Sequence, residues 1–540
     1  MRATRFSRRA LGVAGVLSLG ISGLVVATTA TAADGNIDVA RTGSLTVHKY
    51  QSGTLNPNGT PDGKTSVQGT PVADVVFTVH PISNLDLSKQ ESWNGLGDLK
   101  VPVTACGTDG NTPSLMLPDN KAATFDAGIA LPKTDAQGTA KKDSLAVKAY
   151  LVCESSAPAS VKQKAAPFLV TIPFPNNEVN SPTSHDGNWL YDINVYPKNV
   201  VVDAPSKEVT IEGTKHGIKT GEQVTFPVSA KVPSIGANDA FKYFIISDPF
   251  NENLQNGKVK SVKIDGADVD ADKYTKTDGQ TSTVAFTKAG LEHLKTKLGS
   301  TVTVEFTADV KSVPADGVIP NVANLYVDTI PGTPDRPSTP PDQPPSTPPA
   351  PNDDPGTPSN KVVSTWGNLK IAKQDKDNSK ALEGATFQVY NASAATAYAD
   401  DCSTAVKEGD PIAVGAVSEF TTGADGTLNV EGLFVDKKVG VAGAADVTPD
   451  HNKRCYVIVE TKAPAGYTLP ATADATKGVT VRAGVSTTAD ITVDNTKTTV
   501  PPLPVTGAAG KILMTVGGLS IMAIAVGFVL VARKRRVNEA

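Results

Sequence analysis

Three polar residues near the C-terminal end of the chain could do chemistry if the fold brought them together. Lys373 lies in "GNLKIAK", Glu460 in "YVIVETKAPA" and Asn495 in "DITVDN". All three stretches alternate apolar and polar residues as strands do. Three polar groups buried together without partners would cost several kcal/mol. Burial strips the proton from a lysine and adds one to a carboxyl, because each charged form is disfavoured away from water. A neutral Lys373 amine could then attack the Asn495 side-chain carbonyl, with protonated Glu460 polarising it and relaying protons. Ammonia would leave, and an amide would tie the first strand of the domain to its last. Such a reaction is a single-turnover self-crosslink, not enzymatic turnover.

Elements able to position those residues recur along the chain. Short runs such as "VVFTVH", "VTFPVSA", "TVTVEFTADV" and "ATFQVY" are separated by Gly, Asp, Asn and Pro clusters. That spacing predicts an all-β fold of tandem immunoglobulin-like sandwiches. One helix is expected at Lys288–Gly299, with Leu291, Leu294 and Leu298 at helical spacing. The stretch 331–358, "PGTPDRPSTPPDQPPSTPPAPNDDPGTP", is too proline-rich for a sheet ladder and reads as a semi-rigid spacer or surface loop.

The first and third domains look like copies of one template. "GSLTVHK" (43–49) matches "GNLKIAK" (367–373), "YLVCESSAPA" (150–159) matches "YVIVETKAPA" (456–465), and "DINV" (192–195) matches "DITV" (490–493). Lys49 and Glu154 therefore persist in the first domain. The same alignment sets Pro197 where Asn495 stands, so no crosslink is expected there by that route, although Asn199 is two residues away and could serve. Without one, the first domain is expected to be the soft element of the chain.

The ends fix the compartment. Residues 1–32 have Arg2, Arg5, Arg8 and Arg9, an apolar run and then Ala30-Thr31-Ala32, the layout of a cleavable signal peptide. Residues 512–532 are apolar over a bilayer-spanning length and are followed by the basic tail 533–540. The four cysteines pair most economically as Cys106–Cys153 and Cys402–Cys455 in an oxidising exterior. No cysteine or histidine set has metal-ligand spacing, so no metal or other cofactor is expected. The formal net charge of −4, with no basic stripe outside the tail, argues against a nucleic-acid partner. No Ser/His/Asp elbow, HExxH or phosphate-cradling loop points to an enzyme.

"GNLKIAKQD", "LEGATFQV", "YVIVETKAPAGYTL" and "ADITVDNT" resemble a Cna B-type domain of Gram-positive pilins, with "VETKAPAGY" similar to the E-box. The resemblance implies a Lys373–Asn495 isopeptide bond assisted by Glu460. "YFIISDPF" and "GVIPNVANLYVD" resemble Cna A-like domains of shaft pilins. They imply a second bond to Asn321 assisted by Asp248, with Lys207 as the amine and Lys215 and Lys219 as rivals. "WLYDINVYPK" resembles the pilin motif, which makes Lys198 the nucleophile for polymerisation. Its electrophile would be the sorting signal Leu503, Pro504, Val505, Thr506 and Gly507 of another copy, cleaved after Thr506 by a sortase.

The whole chain is thus similar to sortase-assembled shaft pilins of the actinomycete and corynebacterial type. The expected order is signal peptide 1–32, first domain 33–199, middle domain 200–330, Pro-rich linker or loop 331–360, third domain 361–500, sorting motif 501–511, spanning helix 512–532 and tail 533–540. The resemblance implies a covalent homopolymer of identical subunits with several partners: a pilus-specific sortase, a wall-anchoring sortase, peptidoglycan and a tip adhesin. The rival reading is a monomeric wall-anchored adhesin, which would not need Lys198.

Overall fold

The computed structural model describes residues 37–107, 110–175, 189–211, 216–218, 221, 223–333, 335–500 and 508–537. The expected signal peptide, the sorting signal 503–507, Lys215 and Lys219 lie outside the described residues. The regular structure is mostly strand, and the chain divides into two compact units. One comprises residues up to 159 with 164–199, the other 160–163 with 200 onward.

In the first unit, β1 (Gly43–His48) is followed by the short β2 (Tyr50–Gln51) and by β3 (Val76–Pro81). Then come β4 (Thr139–Leu145), β5 (Lys148–Ser156), β6 (Phe168–Ile172), β7 (Asp192–Val195) and β8 (Lys198–Val201). One sheet has the order β7-β1-β4 and a second contains β3-β5-β6. The first and last strands run parallel. Val47 pairs with Val195, and after a break at Tyr196-Pro197 Tyr50 pairs with Lys198 and Gln51 with Asn199. Leu45, Val47, Phe77, Val79, Val152 and Ile193 are buried, and Leu151, on the other face of β5, packs with Ala105 and Cys106. Each such side chain contributes roughly 1.5–3 kcal/mol of transfer free energy. Cys106 and Cys153 form a disulfide that fastens the 83–125 region to β5.

The second unit opens with β9 (Ser206–Lys207), β10 (Val224–Lys231), β11 (Ala240–Pro249), β12 (Leu254–Ile264), β13 (Thr301–Val310), β14 (Val318–Asn321) and β15 (Asn324–Ile330). A sheet ordered β9-β10-β13-β12 faces one that pairs β11 with β15. β13 shows why: Val302, Val304, Phe306, Ala308 and Val310 recur at every second position, and all are fully buried. They pack with Phe226, Phe244 and Phe286 and with Leu291 and Leu294 of helix α1 (Lys288–Lys295). Thr287 caps α1 by accepting from the Gly290 amide at 3.2 Å. The helix is shorter than its periodicity predicts. Gly299 takes a positive φ of 82°, and Leu298 lies beyond the last turn, 38 % exposed.

The unit continues with β16 (Val362–Asp375), β17 (Thr386–Ala392), β18 (Thr427–Val439), β19 (Lys453–Lys462), β20 (Thr476–Arg482) and β21 (Ile491–Asn495). β16 is the element that unites the two halves. Its first residues pair with β14, Asn321 opposite Val362. Val362 to Ala372 pair antiparallel with β18, and Ile371 to Asp375 pair parallel with β21. Trp366 and Phe434 therefore join the core of the β10–β13 sheet. Leu369, Ile371, Phe387, Ile458 and Val481 form a second core beyond it. Cys402 and Cys455 are disulfide-bonded.

The proline-rich stretch is a surface loop of this unit. Ser338 donates its amide to Asn238 at 2.8 Å, and buried Asp354 accepts from the Tyr243 hydroxyl at 3.1 Å. Contrary to the sequence expectation, its end does join a ladder. Thr357 and Pro358 pair with Leu325 and Asn324 at the sheet edge, where a missing amide donor is tolerated. The last helix, α2 (Ala508–Val537), contains the apolar span Met514–Arg535, long enough to cross a bilayer.

Candidate functional site

Among the described residues three lysines, Lys49, Lys207 and Lys373, are buried, each beside a carboxyl and a carboxamide. In the third domain, β16 and β21 run parallel, with Lys373 opposite Val493 and Asp375 opposite Asn495. The acceptor thus lies two residues past the lysine's own partner, which lets the long lysine side chain reach along its face. Lys373 Nζ donates to Asn495 Oδ1 at 2.6 Å and to the Val493 carbonyl at 3.1 Å. Asn495 Nδ2 donates to Glu460 Oε1 at 2.8 Å, and Glu460 Oε2 is 3.4 Å from Nζ. Burial lowers the Lys373 pKa, although Glu460 pulls it the other way.

The middle site brings together Lys207 on β9, Asp248 on β11 and Asn321 on β14. Lys207 Nζ donates to Asp248 Oδ2 and lies 4.7 Å from the centre of the Phe226 ring. Asn321 Nδ2 reaches the same carboxyl oxygen at 3.3 Å. Burial pushes the Lys207 pKa down and the Asp248 pKa up. The other two oxygens, Asp248 Oδ1 and Asn321 Oδ1, are buried without hydrogen-bond partners among the described residues. A protonated Asp248 would have a donor to offer, and Asn321 Oδ1 is an acceptor that lacks one. Asn360 fixes the lysine's backbone, accepting from the Lys207 amide at 2.7 Å and donating to its carbonyl at 2.8 Å. Sequence reasoning gave Asn360 no role.

The first domain holds a third set. Lys49 Nζ donates to Asn199 Oδ1 at 2.5 Å and pairs with Glu154 Oε2 at 3.0 Å, and Asn199 Nδ2 donates to Glu154 Oε1 at 2.7 Å. All three are buried, and burial lowers the Lys49 pKa to about 8. Sequence alignment put Pro197 in the acceptor position, and the strand register corrects it. Asn199 pairs with Gln51, two residues past Lys49, just as Asn495 pairs with the residue two past Lys373. The "DINV"/"DITV" match is a slip of two residues, and a two-residue slip keeps every side chain on its own face. Alternation could not have exposed the error; the lysine-to-acceptor offset could.

Each set presents an amine whose pKa burial lowers and a carboxamide held by a carboxyl. That is an arrangement for transamidation with loss of ammonia.

Lys198 belongs to none of these sets. It is exposed at the start of β8, and its Nζ donates to Asn58 Oδ1 at 2.9 Å. It stands in a cleft of about 520 Å3 formed with Pro61, Phe168, Asn194, Tyr196 and Pro197. The Tyr196 ring stacks on His48 with centroids 4.9 Å apart.

The C-terminal helix is long and apolar enough to cross a bilayer, and the comparisons show which family of chains this one belongs to. Residues 40–200 match the Gram-positive pilin subunit D1 N-terminal domain, 367–497 the SpaA prealbumin-like fold domain, and 495–539 the LPXTG cell wall anchor motif. The chain is 41 % identical to fimbrial subunit type 2 of Actinomyces naeslundii, over 98 % of its own length and 96 % of the relative's. It is 30 % identical to fimbrial subunit type 1 of Actinomyces viscosus, over 98 % of both. Among solved structures, the full-length major pilin SpaD of Corynebacterium diphtheriae aligns with a TM-score of 0.60 and 26 % identity, covering 86 % of this chain and 99 % of that one. The chain belongs to the family of Gram-positive fimbrial subunits, and it is a structural shaft subunit of a cell-wall-anchored, sortase-assembled fimbria.

Proposed function

We propose that copies of this chain are joined head to tail by an amide between Thr506 of one copy and Lys198 of the next. A pilus-specific sortase would cleave between Thr506 and Gly507, hold Thr506 as a thioester and pass it to the Lys198 amine. A second sortase would transfer the finished fibre to peptidoglycan, with a separate adhesin at the tip. The observation that carries this reading is the exposure of Lys198 over its cleft, one residue from the buried Asn199. Replacing Lys198 with Arg and examining wall extracts on denaturing gels tests it. Loss of the high-mass ladder is expected. A persisting ladder overturns the assignment, and a wild-type chain that never forms one favours the monomeric adhesin.

Within each copy, three isopeptide bonds form: Lys49–Asn199 assisted by Glu154, Lys207–Asn321 assisted by Asp248, and Lys373–Asn495 assisted by Glu460. In each, the amine nitrogen replaces the carboxamide nitrogen, which leaves as ammonia with the proton relayed by the carboxyl. The chain needs no cofactor for this and turns over no external substrate. Three modules, 33–199, 200–330 and 361–500, each carry one bond. The last two are one compact unit because β16 is shared between them.

A further inference from the structure

Two cavities of the first unit meet at one side chain. Phe168, the first residue of β6, lines the cleft beside Lys198 and also a second cavity of about 490 Å3. Trp93, Leu99, Phe174 and Pro175 wall the second cavity, and no charged residue lines it. These side chains are half-buried, and Trp93 is held in place. Its Nε1 donates to the Leu87 carbonyl at 2.9 Å, and its ring lies 5.2 Å from that of Trp189. Neither the Lys49 set nor the disulfide uses this cavity.

We propose that the second cavity seats residues 500–505 of a neighbouring copy, Val-Pro-Pro-Leu-Pro-Val, so that a noncovalent dock presents Thr506 to Lys198. The inference rests on the Thr506–Lys198 linkage, which requires the residues before Thr506 to lie against this face. Their chemistry fits it. Prolines favour the extended polyproline conformation, which docks in grooves lined by aromatic rings. At ~3.1 Å per residue, the six residues back to Val500 span about 19 Å. Because Phe168 lines both cavities, the segment can run from one into the other.

Polarity runs the same way on both partners. Lys198, Asn58 and Asn194 surround the end where Thr506 reacts. The uncharged aromatic cavity receives the Val-Pro-Pro-Leu end. On its own chain Val500 is 76 % exposed. A cavity of this size is within the ~300–1,000 Å3 range of ligand clefts.

The test is calorimetric titration of the acetylated, amidated peptide of residues 497–506 onto the full-length chain in detergent. Saturable binding is expected, weakened at least tenfold by Leu99→Lys in the chain. A peptide with Pro501, Pro502 and Leu503 changed to Gly should bind the wild-type chain at least tenfold more weakly, a comparison that does not depend on how the variant chain folds. Absence of binding, or equal binding of the two peptides, overturns the dock. A filament linkage mapped to Lys198 without peptide binding overturns the dock alone, whereas a linkage at another lysine overturns both readings.

Discussion

Lys198 and Asn199 are neighbours on one strand with opposite fates. The Lys198 amine is in solvent beside Asn58, while Asn199 is buried with its Oδ1 2.5 Å from Lys49 Nζ. Strand alternation alone separates them. One peptide bond thus joins the amine proposed to take the next subunit to the carboxamide proposed to close its own domain.

Intact mass will count the bonds. Each condensation removes ammonia, about 17 Da, so the processed chain is expected to weigh about 51 Da less than its sequence mass, beyond the loss due to two disulfides. After allowance for the substitution itself, Asn199→Ala, Asn321→Ala and Asn495→Ala should each restore about 17 Da. A variant that restores nothing removes its bond from the scheme.

The carboxyls should be indispensable to bond formation. Asp248→Ala is expected to leave Lys207 and Asn321 unjoined, with the middle-domain peptides separable after digestion. It also leaves the Lys207 amine buried without the carboxyl it donates to. An unpartnered buried polar group is destabilising, so a lowered melting temperature should accompany the recovered mass.

Lys49 makes a pH test available. In Asn199→Ala it remains an amine, which burial holds at about 8 against an ordinary 10.5. Between those values the unfolded chain binds the extra proton, so stability rises with pH. Urea midpoints for the variant, relative to the wild type, should climb from pH 8 to 10.5. The gain is at most about 3 kcal/mol. A falling difference would show that the amine is charged in the folded domain.

The disulfides close loops with separations of 47 and 53 residues. In the chain-entropy model each stabilises by about 4 kcal/mol. Cys106→Ser with Cys153→Ser should lower the melting temperature of the first unit without altering the 17 Da losses. Loss of the Lys49–Asn199 bond in that variant would mean that the disulfide must form first to align β5.

Much of this was legible in the sequence. Alternating apolar residues gave the strands, cysteine parity gave both disulfides, and Lys373, Glu460 and Asn495 meet as their places on first, middle and last strands require. Lys207 is buried beside Asp248, while its rivals Lys215 and Lys219 lie outside the described residues. What escaped was register. Tyr196 and Pro197 interrupt the last strand of the first domain before Lys198 resumes it, and a pattern of period two cannot number residues across such a break. The sharing of β16 escaped too. Its first four residues are buried on both faces and carry no alternation to announce a second partner.

The position of Lys198 at the end of its domain has a consequence for a fibre under tension. With the neighbour attached at Lys198, the pull enters one residue before Asn199 and leaves along the chain toward Lys207. Residues 37–197 are outside that covalent path whether or not Lys49 has closed its crosslink, so softness in them would not lengthen the path between one linkage and the next.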